Sequence, residues 1–259
     1  MKTPRFVLLI IAVLLFSCYP KRPAIPGAEV PAAPFVQALE QQRLSFVTLK
    51  AIASVEVVRN GLKRAFDTVG IVLDSQRRLR VEAFGPLGQS ALALVWDGNN
   101  VLVRVPENDR VMTPGQAGIE RILGMSIEAA PLCAVLSGTV PPVAQPLEAR
   151  AFCVKDRSCV VELAEGDGIR RVRMLWAEDG TEVRMRVASQ ELYRADRLLY
   201  RVRYDGVIAS SAAFFPRTIV LESPEKNVMV SVGYTDTEIN APLAGDAFSL
   251  PDAVATEGK

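Results

Sequence analysis

From about residue 79 onward, apolar and polar positions alternate. Leu79, Val81 and Ala83 alternate with Arg80, Glu82 and Phe84, and Val183, Met185 and Val187 alternate with Arg184 and Arg186. Leu198, Tyr200, Val202 and Tyr204 alternate with Leu199, Arg201 and Arg203, and Val228, Val230, Val232 and Tyr234 share a face. Strict alternation predicts strands with one dry face and one wet face. Turn signals punctuate the chain at Asn60-Gly61, Asp97-Gly98-Asn99, Asp179-Gly180 and Asp205-Gly206. Many short strands with short turns predict a mainly β, α+β fold: an antiparallel meander that curls into a barrel or half-barrel.

Two segments depart from period two. Phe35, Leu39, Phe46 and Leu49 flank a polar middle, which predicts a helix over 35–46. Residues 117–138 have helical spacing at Ile119, Ile122 and Leu123, then at Leu132, Val135 and Leu136. Gly124 and Gly138 read as helix ends, and Pro131 opens the second helix, since proline is tolerated in a first turn. An apolar helix pair must bury its stripe, and the concave face of a curled sheet is the available place.

The N-terminus has its own pattern. Lys2 and Arg5 precede an apolar run from Phe6 to Phe16, then Ser17-Cys18. A basic region, a short apolar region and a small residue describe a secretory signal, and the run is short for a membrane span. Leu15-Phe16-Ser17-Cys18 resembles the lipobox of bacterial lipoproteins, in which the Cys is acylated and becomes the first mature residue. The alternative is a plain signal peptide with an incidental Cys. On the lipobox resemblance, Tyr19 in place of Asp points to the outer membrane. The expected organisation is a signal peptide over 1–17, a flexible lipid-anchored tether over 18–34, one folded domain over 35–250 and a disordered tail over 251–259. The tether, rich in proline and alanine, is expected to be extended at about 3 Å per residue.

Composition narrows the function. The 259 residues are 49% hydrophobic with a net charge of +1, enough for one domain with a real core. A near-neutral balance argues against a nucleic-acid partner. The chain has no histidine, which removes Ser-His-Asp and Cys-His catalysis and imidazole metal sites. No nucleophile–base pair or paired-acid motif is present, so no enzyme, cofactor or metal is expected. Cys133, Cys153 and Cys159 lack CxxC spacing for zinc, and the acids of 106–110 are too few for calcium. Cys153 and Cys159 flank the polar turn Lys155-Asp156-Arg157, so a cross-hairpin disulfide is plausible in an oxidising compartment. Arg171, Arg173, Arg184, Arg186, Arg201 and Arg203 recur on wet faces. They pair with acids across strands or form a basic surface for lipid phosphates or an acidic carrier.

One turn is unusual. Gly85-Pro86-Leu87-Gly88 separates two strands and puts a bare leucine at its tip. Together with Leu123-Gly124-Met125 and with Leu132, Val135, Leu136 and Gly138, it resembles LolB, the outer-membrane lipoprotein receptors of Gram-negative bacteria. The resemblance covers roughly 45–140. Val135 stands where that family has tryptophan, and residues 238–253 lack its ending, so a divergent member of the wider LolA/LolB superfamily is implied. The resemblance implies an unclosed barrel capped or plugged by helices and an exposed Leu87 that helps hand lipoproteins into the membrane. It also implies an apolar cavity for acyl chains, with candidate lining Leu92, Leu94, Trp96, Ile119, Ile122, Leu123, Leu132, Leu136, Val172, Met174 and Trp176. Without it, the same residues read as ordinary core, and Leu87 could fold back on Phe84 or Trp96. The implied partners are membrane lipid, acylated lipoproteins and a periplasmic LolA-like carrier, for a monomer on the periplasmic face of the outer membrane. An envelope scaffold with the same fold and no transferred ligand is the alternative.

Overall fold

A computed structural model of the chain describes residues 22–249, apart from 77, 99, 106–109, 113–119, 121–122, 155–157, 180–181 and 210–213. The signal segment, Cys18, Ile119, Ile122, most of the 106–110 loop and the tail over 251–259 lie outside the described residues.

The alternating segments form fourteen strands of one antiparallel sheet. A short N-terminal strand, β1 (Ala28–Val30), precedes helix α1 (Ala33–Ser45). Six strands follow: β2 (Thr48–Arg59), β3 (Leu62–Asp74), β4 (Leu79–Phe84), β5 (Ser90–Trp96), β6 (Val101–Val105) and β7 (Arg110–Met112). Helix α2 (Ala129–Leu136) interrupts them. The second run is β8 (Arg150–Val154), β9 (Ser158–Glu165), β10 (Gly168–Asp179), β11 (Glu182–Arg194), β12 (Arg197–Ala209), β13 (Phe214–Ser223) and β14 (Val228–Ile239). The spatial order is β1-β8-β9-β10-β11-β12-β13-β14-β2-β3-β4-β5-β6-β7. Each run is a meander of neighbouring hairpins. The two runs join where β14 pairs with β2, from Val228 opposite Arg59 to Ile239 opposite Leu49. β1 and β7 remain as edges, so the barrel is not closed; the alternation allowed a barrel or a half-barrel, and the resemblance implied the unclosed form.

One face of this sheet is dry along nearly its whole width. Leu49 and Ala53 of β2, Ile71 and Leu73 of β3, Val161 of β9, Val172 of β10, Val202 of β12 and Ile219 of β13 share one hydrophobic cluster with Phe35, Val36 and Leu39 of α1 and with α2. α2 is apolar on every side, with Leu132, Cys133, Val135 and Leu136 all buried, as a helix enclosed by a curled sheet must be. Among the described residues no helix is long and apolar enough to cross a membrane.

The N-terminal segment differs from the expectation. The described part of the tether, 22–34, does not hang free. β1 pairs with β8, Val30 opposite Ala151 and Ala28 opposite Cys153. Arg150 holds Glu29 through two hydrogen bonds of 2.9 and 3.0 Å. Before β1 the chain lies against the wet face of the sheet: Arg171 Nη1 donates to the Pro23 carbonyl at 2.6 Å, and Arg22 stands 3.8 Å from both Glu162 and Asp196. Proline-rich composition carries no sign of this, because the partners are more than a hundred residues away. α1 also begins at Ala33, two residues before the expected start.

Candidate functional site

The turn after β4 is built to hold its tip rigidly outward. The Gly88 N–H donates to the Gly85 carbonyl at 2.9 Å, and Gly85 N–H to Gln89 O at 2.8 Å. Gly88 has φ +78°, a conformation that glycine adopts without a Cβ penalty. The Gln89 side chain folds back so that its Oε1 accepts from the Leu87 N–H at 3.1 Å. The result is a Leu87 side chain 92% exposed. It does not fold back onto Phe84 or Trp96.

The second constellation fixes α2. Its last residues form a Schellman end: Thr139 N–H donates to Ala134 O at 2.9 Å and Gly138 N–H to Val135 O at 3.0 Å. Gly138 has φ +70°, and a Cβ there would lie 2.5 Å from the Pro216 ring, so both conformation and space require glycine. A helix end leaves carbonyls without helical partners. Here three separate elements supply donors. Tyr234 OH on β14 donates to Leu136 O at 2.8 Å, Gln42 Nε2 on α1 to Gly138 O at 3.2 Å, and Gln190 Nε2 on β11 to Thr139 O at 3.3 Å.

Gln190 belongs to a polar cluster set into the dry face. Arg170, only 1% exposed, donates from Nη1 to Gln190 Oε1 at 2.6 Å and from Nη2 to Tyr200 OH at 3.1 Å, and it is ion-paired with Glu165. Gln190 also bonds to the Tyr204 hydroxyl. Burial pushes the Tyr200, Tyr204 and Tyr234 phenols above the ordinary tyrosine value; Arg170 beside Tyr200, and Gln190 beside Tyr204, act against that. Sequence reasoning missed this cluster. The available signal was parity: Arg170 falls on the same face as Val172 and Met174, and Gln190 on the same face as Leu192.

The candidate cavity residues are brought together, but as packing. Leu94, Trp96, Leu132, Leu136, Val172 and Met174 are buried in the common core, and Leu92 and Leu123 pack against it. Trp176 departs from the set and is 41% exposed. β9 ends its pairing with β10 at Ser158 opposite Leu175, so Trp176 has a neighbour only on β11. Neither of the two large cavities is lined by these residues. A cleft of about 290 Å³ lies between α2 and the far end of β3, walled by Phe46, Leu73, Cys133, Ala134 and Val140 and rimmed by Arg43, Asp74 and Glu128. α2 forms one of its walls. A second hollow of about 580 Å³ lies on the wet face under Pro23–Pro26, among Arg171, Arg173, Arg186, Arg201 and Arg203. Three of these arginines follow the cross-strand pairing expectation: Arg171 with Glu162, Arg201 with Glu191 and Arg203 with Glu222.

Cys153 and Cys159, directly opposite each other on β8 and β9, form a disulfide. Cys133 is a buried free thiol. Among the described residues no group of His, Cys, Asp or Glu could hold a metal ion.

No family model and no curated protein matches this sequence. Solved structures match it in fold. A putative outer membrane lipoprotein-sorting protein domain from Vibrio parahaemolyticus aligns with a TM-score of 0.59 and 11% identity, over 84% of this chain and 97% of that one. A DUF1329 family protein from Desulfovibrio piger gives 0.54 and 10%, over 84% and 95%. A LolA superfamily protein from Nitrosomonas europaea gives 0.50 and 12%, over 85% and 98%.

Proposed function

We propose that this chain, which has the fold of the LolA superfamily and lies far from those proteins in sequence, is a lipid-anchored lipoprotein of the outer membrane. It receives acylated cargo on its dry concave face and passes it to the bilayer without chemistry or cofactor. The observation that carries the reading is α2. The dry face is covered not by a second sheet but by the two helices, and the eight-residue apolar α2 is held at its C-terminal end by three polar contacts. Each contact contributes about 1 kcal/mol net. Displacing the helix trades its apolar contacts for those of an acyl chain, so the exchange is close to balanced. The cleft beside α2 is where such a chain would begin to enter, and at about 290 Å³ it sits at the lower end of ligand-site volumes.

Leu87 serves the release step. An exposed leucine entering the interfacial region gains about 1.5–3 kcal/mol, enough to bias a tethered tip and too little to anchor it alone. Cys18 supplies the anchor, at about 0.8 kcal/mol for each buried methylene of its acyl chains. A periplasmic carrier with the same kind of cavity would deliver the cargo.

Gentle purification followed by mass spectrometry tests the reading. Acyl lipid or lipoprotein should copurify, and occupancy should rise when Tyr234→Phe and Gln190→Leu loosen α2. Depletion in the native host should leave other lipoproteins in the periplasm or inner membrane. The close packing of Leu94, Trp96 and Met174 favours the second reading, a scaffold lipoprotein with no transferred ligand. Under that reading no lipid copurifies and lipoproteins sort normally.

A further inference from the structure

We infer that the protein stands on the bilayer on one defined end of its sheet, and that Leu62, at the tip of the β2–β3 hairpin, is a second membrane contact beside Leu87. The inference rests on the anchor reading of Cys18.

The first support is the short leash. Four peptide steps separate Cys18 from Arg22, which span at most about 14 Å. From Arg22 onward the chain is pinned to the sheet by Pro23 and β1. The acylated residue therefore cannot stray far from the place where Arg22 leaves the body. Arg22 lies against Asp196, in the turn between β11 and β12.

The second support is topology. In an antiparallel sheet successive turns lie at alternate ends. Counting from the β11–β12 turn, the β13–β14 turn (224–227), the β2–β3 turn (Asn60-Gly61) and the β4–β5 turn (85–88) all fall at the same end. The first two of these touch: Asn60 N–H donates to Asn227 O at 3.0 Å. The leash and both leucine tips thus share one end. The α2 cleft, beside Leu73 and Ser75, lies at the other.

The third support is the tip itself. Leu62 is 76% exposed. β4 begins its pairing with β3 only at Thr68 opposite Phe84, so β3 over 62–67 has no neighbour on that side. Arg59 and Arg64, both exposed, flank the leucine, and Lys63 pairs with Glu56. A bare leucine between cations suits an interface with anionic headgroups, where the cations meet phosphate and the leucine meets hydrocarbon. Each leucine that enters contributes about tenfold in partitioning.

The test uses the full-length acylated protein, reconstituted through its own anchor into vesicles of phosphatidylethanolamine and phosphatidylglycerol. Leu62→Cys, Leu87→Cys and Gln76→Cys carry an environment-sensitive fluorophore; Cys133 is buried and Cys153 is bonded to Cys159, so neither competes for label. Gln76, exposed in the β3–β4 turn, marks the opposite end. The expected result is a blue shift and quenching by brominated lipid at 62 and 87, with position 76 unquenched. A wet label at 62 beside a quenched one at 87 overturns the second contact and leaves the anchor reading standing. Quenching at 76 overturns the orientation. Failure to enter vesicles at all removes the anchor reading and this inference with it.

Discussion

Single residues divide into those that work by exposure and those that work by burial. Leu87 belongs to the first kind. Leu87→Glu removes no packed contact, so urea unfolding should change by less than about 0.5 kcal/mol, while lipoprotein delivery should fall. Normal delivery at normal protein level would take the turn out of the mechanism. Arg170 belongs to the second. Its guanidinium satisfies Gln190, Tyr200 and Glu165 at once. Arg170→Ala leaves those groups unpaired and should cost about 3–5 kcal/mol in urea unfolding. The buried tyrosines set a base limit. Tyr200, Tyr204 and Tyr234 have folded pKa values raised above the ordinary 10.0. Their contribution is complete below pH 10 and is lost as pH rises through the folded values. Above pH 10 stability should fall by up to about 1.4 kcal/mol per pH unit for each. Denaturation midpoints across that range should be less steep for Tyr234→Phe.

At the scale of elements, periodicity was the most legible feature. The alternating runs at 79–84, 198–204 and 228–234 are strands with the expected dry faces. The segment 131–138 contains a helix, although it starts earlier, at Ala129, with Pro131 inside its first turn. The exposure of Leu87 was legible only through the family resemblance, because the residues of the turn alone left it equally free to fold back on Phe84 or Trp96. What the sequence hid was pairing between distant segments. The strand at 28–30 depends on Ala151 and Cys153, and Trp176 loses its cover because β9 pairs no further than Leu175. A dry face read from alternation also does not distinguish core from cavity, which is why Leu94 and Met174 could be named without their packing being known. The β8–β9 hairpin offers a clean test. Its disulfide closes a loop with a sequence separation of 6, worth about 2 kcal/mol in the chain-entropy account. Dithiothreitol should lower stability by that amount and leave Cys133 unlabelled in the native protein. At α2, Tyr234→Phe together with Gln190→Leu should speed amide exchange over 129–140 more than in β12 or β13.

For the whole molecule, the described residues join an N-terminal segment pinned from Pro23 onward, two leucine tips and a helix-covered dry face in one body. The sheet puts both tips at the same end as the Asp196 turn, against which Arg22 lies, and leaves the α2 cleft at the other. The Leu87 turn and the helical segment were read from the sequence separately, whereas the Leu62 tip and the pinned N-terminal segment emerged only with the strand pairing. The joint between β14 and β2 has a further outcome. Arg59 and Val228 are 169 residues apart (228 minus 59) and lie opposite each other in the ladder. A chain folding from its N-terminus therefore completes eleven further strands, β3 to β13, while the long flank of β2 still lacks its mate, and such a flank is a template for foreign strands. Pairing across so long a separation is slow. Maturation of this protein is thereby timed by the arrival of its last strand. A chain cut after Asn227 should self-associate in sedimentation, and an added peptide spanning 228–239 should restore the monomer by filling the vacancy.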